Sequence, residues 1–152
     1  MSITDEFKKV QKTLSKLPHV LQEKVVVGAT RAAAKTIADD AKRRVPVKSG
    51  LLKKSIGVKK AKKQFTPDNV VKYIIAPMSK VRVTKKVIAA GKSGKLKASL
   101  ISYHGGFVEF GTKNMKAKPY LAPAMRANRS KAVKAFQSYA ILRTEKELRK
   151  LA

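Results

Sequence analysis

Tyr103-His-Gly-Gly-Phe-Val-Glu-Phe-Gly-Thr112, followed by Lys118-Pro-Tyr-Leu-Ala-Pro-Ala-Met125, decides how this chain is read. The chain carries 36 Lys and Arg against 9 Asp and Glu, a net charge of +27, and Glu109 is the only acid between Asp68 and Glu145. It stands between Phe107 and Phe110, just ahead of Gly111-Thr112. A lone carboxylate in an aromatic run is placed rather than scattered. Two readings are open for it. It is a half-buried acid paired with a local Lys or Arg, or it reaches to a basic neighbouring subunit. The proline-punctuated run after it opens a helix, so the two segments fix how two elements meet.

Working outward, 152 residues suit a single domain, and 43% hydrophobic residues are enough for a core. There is no cysteine, hence no disulfide framework and no thiolate metal site. The first residues lack the apolar core of a signal peptide. No apolar run approaches the roughly 20 residues that a membrane span needs. The expectation is a soluble, cytoplasmic protein with no membrane partner. So much positive charge repels itself and calls for a polyanion or an acidic protein surface nearby. From Ala41 to Val108 there are 18 Lys and Arg and a single acid, Asp68.

Ile3, Phe7, Val10, Leu14 and Leu17 recur every three or four residues, one apolar stripe on an amphipathic helix over residues 1–17. Pro18 stops it and opens a second helix that runs to about Arg44, roughly 40 Å long at 1.5 Å per residue. Its alanine-rich middle suits close packing, and Val45-Pro46 ends it. Pro46 to Gly50 is a turn, and the next segment passes from a short helical turn into a strand near Ser55. Thr66-Pro-Asp-Asn69 is a turn, and Val70 to Ala76 is the best strand in the chain. Val81-Arg-Val-Thr84 alternates like a strand, and Leu100-Ile-Ser-Tyr103 is read as pairing back onto the sheet. Residues 80–98 form a mobile basic loop, and one helix is expected over 120–151. The sum is an α+β fold: N-terminal helices, a small mostly antiparallel sheet packed against a long helix, and a long C-terminal helix.

Chemistry is hard to find. Gly91-Lys-Ser-Gly-Lys95 lacks the earlier glycine of a phosphate loop, since Lys86 holds that place. His19 and His104 have no ligand partner at metal spacing. Asp39 and Asp40 are adjacent and point apart on a helix. No Gly-x-Ser-x-Gly elbow occurs. Asn128-Arg-Ser130 has the form of a glycosylation sequon. An enzyme is therefore not expected, and neither a metal nor a cofactor. Aromatic residues are only 6% with no Trp, so the interleaved stacking platform of a single-strand binder is sparse. Non-specific contact with a nucleic-acid backbone stays open as the alternative function.

Pro46-Val-Lys-Ser-Gly50-Leu-Leu-Lys-Lys-Ser-Ile56, Phe107-Val-Glu-Phe-Gly-Thr112 and Ala117-Lys-Pro-Tyr-Leu-Ala-Pro-Ala124 follow an alanine-rich helix in that order. Together they resemble the tailed-phage head–tail joining family, gp-ten-like minor tail or neck proteins of lambdoid-type phages. The resemblance runs from about Ala29 to Met125, and Tyr120 stands where the family commonly has Phe. It implies a structural virion protein without catalysis, made in the host cytoplasm and built into the neck or tail. It implies a homo-oligomeric ring, a hexamer or dodecamer, for tail completion or head closure around the DNA conduit. The implied partners are further copies, connector or adaptor proteins, tail terminator or tail tube proteins, and genomic DNA through non-specific contact. The structural and interface candidates are Pro46, Gly50, Tyr103, Phe107, Glu109, Phe110, Gly111, Thr112, Pro119 and Pro123. Lys80, Arg82, Lys85, Lys86, Lys92, Lys95 and Lys97 are the candidates for meeting DNA or a partner, on a segment adaptable enough to match a neighbour of different symmetry.

Overall fold

A computed structural model describes residues 3–47, 50–62, 70–78 and 98–151. In chain order these form α1 (Ile3–Leu14), α2 (His19–Arg44), α3 (Leu51–Ser55), β1 (Ile56–Lys60), β2 (Tyr73–Pro77), α4 (Ala98–Phe110), α5 (Leu121–Ala127) and α6 (Arg129–Leu151). The class is α+β, as the patterning implies. The chain divides into two compact units: Met1–Thr36, Lys60–Tyr73 and Arg129–Ala152 in one, Ile37–Lys59 and Ile74–Asn128 in the other. The loop expected over 80–98 lies outside the described residues except for Ala98, and the strand expected at Val81–Thr84 and the turn expected at Thr66–Asn69 lie outside them entirely.

The first unit is helical. The α1 stripe delivers Val10 to a core with Leu17, Val25, Ala29 and Ala140, ringed by Leu14, Leu21, Phe136, Ile141 and Leu148. The rings of Phe7 and Phe136 lie 6.0 Å apart between centroids, where α1 packs against α6. Leu17 ends the stripe with its carbonyl oxygen taking a 2.7 Å bond from Gln22 Nε2 in the first turn of α2. Val10 and Leu17 of the stripe are buried and Leu14 is half-buried, while Phe7 stays 41% exposed at the edge of this core.

The second unit mixes helix and sheet. The second half of α2 contributes Ala38, Ala41 and Val45 to a core completed by Leu52, Ile56, Val108, Tyr120 and Ala124. Gly50, at φ 70°, leads into α3, and the chain turns extended at Ile56, so helix passes to strand where the sequence suggests. β1 and β2 are antiparallel, and Met78 N–H donates to the Ser55 carbonyl at 2.9 Å. Side chains alternate across a strand, so Ile56, Val58 and Ile75 share the face turned to the core.

Two expectations are corrected. Leu100 to Tyr103 is helical, inside α4, and the described residues hold two strands. A short apolar run carries no clear period, and Gly105-Gly106 argues against helix in isolation. Gly105 is nonetheless buried where α4 meets β2 and α3. A β-carbon there would overlap the Pro77 ring and stand 3.1 Å from Leu52 Cδ1. The second correction concerns the final helix, which breaks into α5 and α6 at Asn128 (φ −109°, ψ 11°). The Asn128 side chain bonds the Ala124 carbonyl at 2.9 Å, a local bond that competes with helix continuation.

Gly105 gives a test with an inverted sign. Glycine to alanine inside a helix ordinarily stabilises by about 1 kcal/mol. Here Gly105→Ala should destabilise by about 1–3 kcal/mol through overpacking against the proline ring, read as a lower midpoint in urea unfolding.

Candidate functional site: a carboxylate-capped helix joint

The segment from Tyr103 to Met125 folds into a reversal between α4 and α5. Gly111 ends α4 at φ 78°, a left-handed conformation that glycine adopts without penalty. A β-carbon there would stand 2.9 Å from both the Ala117 nitrogen and the Met115 carbonyl oxygen, which are backbone atoms with no room to yield. Thr112 and Met115 bridge each other across the turn, and Lys118 N–H donates to the Val108 carbonyl at 2.8 Å. The returning chain thus lies back along α4 and brings Tyr120 beneath it. Tyr120 is fully buried, and its hydroxyl donates to the Gly105 carbonyl at 3.3 Å.

At this point α5 begins, and a helix start leaves its first backbone N–H groups without partners. Glu109, itself 7% exposed, supplies them. Its Oε2 accepts from Tyr120 N–H at 2.7 Å and from Leu121 N–H at 2.9 Å, and its Oε1 accepts from Ala122 N–H at 3.0 Å. The next position is Pro123, which has no N–H to satisfy. Every orphan donor at this helix start is therefore bonded or absent. Tyr120 offers no side-chain cap of its own. A negative charge at a helix N-terminus also meets the positive end of the helix dipole. The Lys or Arg expected inside the fold is not what this carboxylate meets: its partners are three amides of α5. Burial pushes the Glu109 carboxyl up, but the bonds from Leu121, Tyr120 and Ala122 outweigh it and hold the group below its ordinary value of 4.5. Burial, then the Glu109 charge, pushes the Tyr120 phenol up to about 12.

A second buried acid fixes the other end of α5. Asp40 on α2 takes Arg44 Nε at 2.6 Å and Arg43 Nη2 at 3.2 Å, and Asn128 Nδ2 at 2.7 Å. Bonding to Arg44 lowers the Asp40 carboxyl despite desolvation, with Asn128 and Arg43 assisting. Adjacent Asp39 is exposed and pairs with Lys42 at 3.4 Å, so the two carboxylates do point apart. Asn128 is 4% exposed with its amide engaged twice, which removes it as a glycosylation acceptor in the folded chain. The pairing of Asp40 with Asn128 is not legible in the sequence. Eighty-eight residues separate them, and no local pattern links them.

The remaining candidates distribute as follows. Phe107 and Phe110 are exposed on α4, the backbone at Tyr103 lies in the same helix, and Pro119 is exposed just before Tyr120. Pro46 follows the end of α2, exposed, and Gly50 precedes α3. Lys80, Arg82, Lys85, Lys86, Lys92, Lys95 and Lys97 lie outside the described residues. Among the described residues no group of His, Asp and Glu is arranged to hold a metal, and no helix is long and apolar enough to cross a membrane.

Glu109→Ala should cost about 2–4 kcal/mol, because three charge-assisted bonds share one carboxylate. A depressed folded value makes that stability complete above pH 4.5 and lost as pH falls through the folded value. The gap between variant and wild type in urea midpoint should therefore close on acidification. Tyr120 has the opposite sign: its neutral phenol contributes fully below pH 10 and is lost as pH climbs through about 12. Tyrosinate absorbance should show a late step near 12 that Tyr120→Phe abolishes.

No curated protein and no solved structure is similar enough to this chain to match. Residues 8–111 match the HK97-gp10-like family model, described as "Bacteriophage HK97-gp10, putative tail-component". That span covers about two thirds of the sequence, from the middle of α1 to the glycine that closes α4. The chain belongs to the HK97-gp10-like family of bacteriophage tail components.

Proposed function

We propose that this protein is a structural component of the phage neck or tail, joining the head connector to the tail as an oligomeric ring around the DNA conduit. The family match over residues 8–111 carries the reading. The chemistry of the buried polar groups agrees with it. Asp40 and Glu109 are spent on fixing helices, Asp40 beside Asn128 and Glu109 at the start of α5. Glu147, also buried, is spent on Arg143 at 2.6 Å and Lys150 at 3.5 Å. Acids used in this way serve rigidity, and rigid joints suit a part that transmits position rather than transforms a substrate. We assign it no catalytic role and no cofactor. Its place is the mature virion, and its partners are other phage structural proteins.

The net charge of +27 favours a second reading, non-specific binding to nucleic acid. Duplex binding by the free protein would then fall steeply with salt on a log–log plot, whereas a neck component that meets DNA only when assembled binds weakly at physiological ionic strength.

The decisive measurement is whether purified virions contain the protein, in multiple copies, by mass spectrometry. Phage carrying Glu109→Lys should give fewer infectious particles, with unjoined heads and tails accumulating, because a cation at the start of α5 repels the amides that it replaces a bond to. Virions that lack the protein, or wild-type titre from the variant, would count against the proposal.

A further inference from the structure

Cations are spread along this chain with one long exception. Residues 98–112 contain no Lys or Arg, the longest such run in the sequence, and Glu109 is their only acid. These residues are α4 and its closing turn. Helical spacing sends Gly105, Val108 and Glu109 inward, and the structure buries all three. The opposite face presents Phe107, 50% exposed, and Phe110, 85% exposed, one turn apart. A β-carbon built on Gly106 meets nothing within 4 Å, so open space continues beside them. Met115, 37% exposed, is tied to this end of α4 by its bridge with Thr112. The exposed positions described on α4 are thus His104, Phe107 and Phe110, a helix without Lys or Arg on a protein whose other exposed positions include Lys53, Lys54 and Lys59, with Lys113 and Lys116 on either side of Met115.

We infer that the exposed α4 face around Phe107 and Phe110 is where one copy of this chain binds another. Charge selects the occupant. A polyanion or an acidic protein gains nothing on a face without cations and belongs on the lysine-bearing surfaces. Two copies at +27 each repel wherever lysines would meet lysines. The α4 face is the long stretch on which two copies can touch without that repulsion. Size sets the strength. Two partly exposed phenylalanines supply roughly a third of the about 800 Å² per partner of a standard interface. They are anchors that need a surrounding rim, so association of the free protein falls in the micromolar range rather than the nanomolar. Like face meets like face, so the contact pairs two copies, and it rests on the multi-copy structural reading proposed above.

The test is sedimentation velocity of the full chain over micromolar concentrations, at low salt and at about 0.5 M, where the Debye length shrinks to roughly 4 Å. The expected result is a mass above the 16.7 kDa monomer that rises with concentration and rises further with salt, since screening removes the repulsion and leaves apolar contact intact. Phe107→Ser with Phe110→Ser should move the association midpoint by about tenfold or more at an unchanged unfolding midpoint. Phe110→Ser alone, at the more exposed position, gives the same direction if the double variant folds poorly. A single copy under all conditions, a variant that associates like wild type, or association that weakens with salt would each overturn the inference. Virions that contain the protein despite any of those outcomes would leave the tail-component reading standing and remove only this face.

Discussion

One carboxylate organises the second unit. Glu109 accepts from the amides of Tyr120, Leu121 and Ala122, so the end of α4 holds the beginning of α5. The bond set is possible only because Gly111 turns the chain tightly enough to bring residue 120 back beneath residue 105. Tyr120 then fills the core between Val108, Ala124 and the alanines of α2. Without the acid, the N–H groups of buried Tyr120 and half-buried Leu121 would be left unbonded, at a cost larger than the gain from making either bond. In a chain so rich in cations, the carboxylate is reserved for backbone amides, where no lysine reaches it among the described residues.

The two ends of α5 are fixed by the same kind of device. An acid from another element meets the helix start, and an acid–amide pair meets its end at Asn128. Both acids are buried and both titrate lower than their ordinary values for reasons of hydrogen bonding and charge. A short helix of seven residues would be marginal in isolation. Held at both termini and buried through Ala124, it becomes part of a rigid frame.

The readable part of the sequence was what periodicity encodes. The stripe Ile3–Leu17, the length of α2 and the helix-to-strand passage near Ser55 all follow from local spacing and propensity. Glu109 stood out as an isolated acid, but its partners are main-chain groups, which have no signature in a one-letter sequence. Pro123 was the available hint, since a proline at that position removes the donor that a three-bond cap leaves over. Helix α4 was misread because Gly105 lowers helical propensity while serving the approach of Pro77, a tertiary demand invisible from residues 98–110 alone. The Asp40–Asn128 bond was out of reach for the same reason of distance in sequence.

Because the cap is made to main-chain amides, the side chains of α5 are largely released from holding it in place. Ala122, Met125 and Arg126 are all exposed, and none of them donates a side-chain bond to the Glu109 carboxylate. This short helix can therefore be redecorated, by drift or by design, while the scaffold underneath stays constant. It is the natural place to rewrite what the molecule presents to its surroundings.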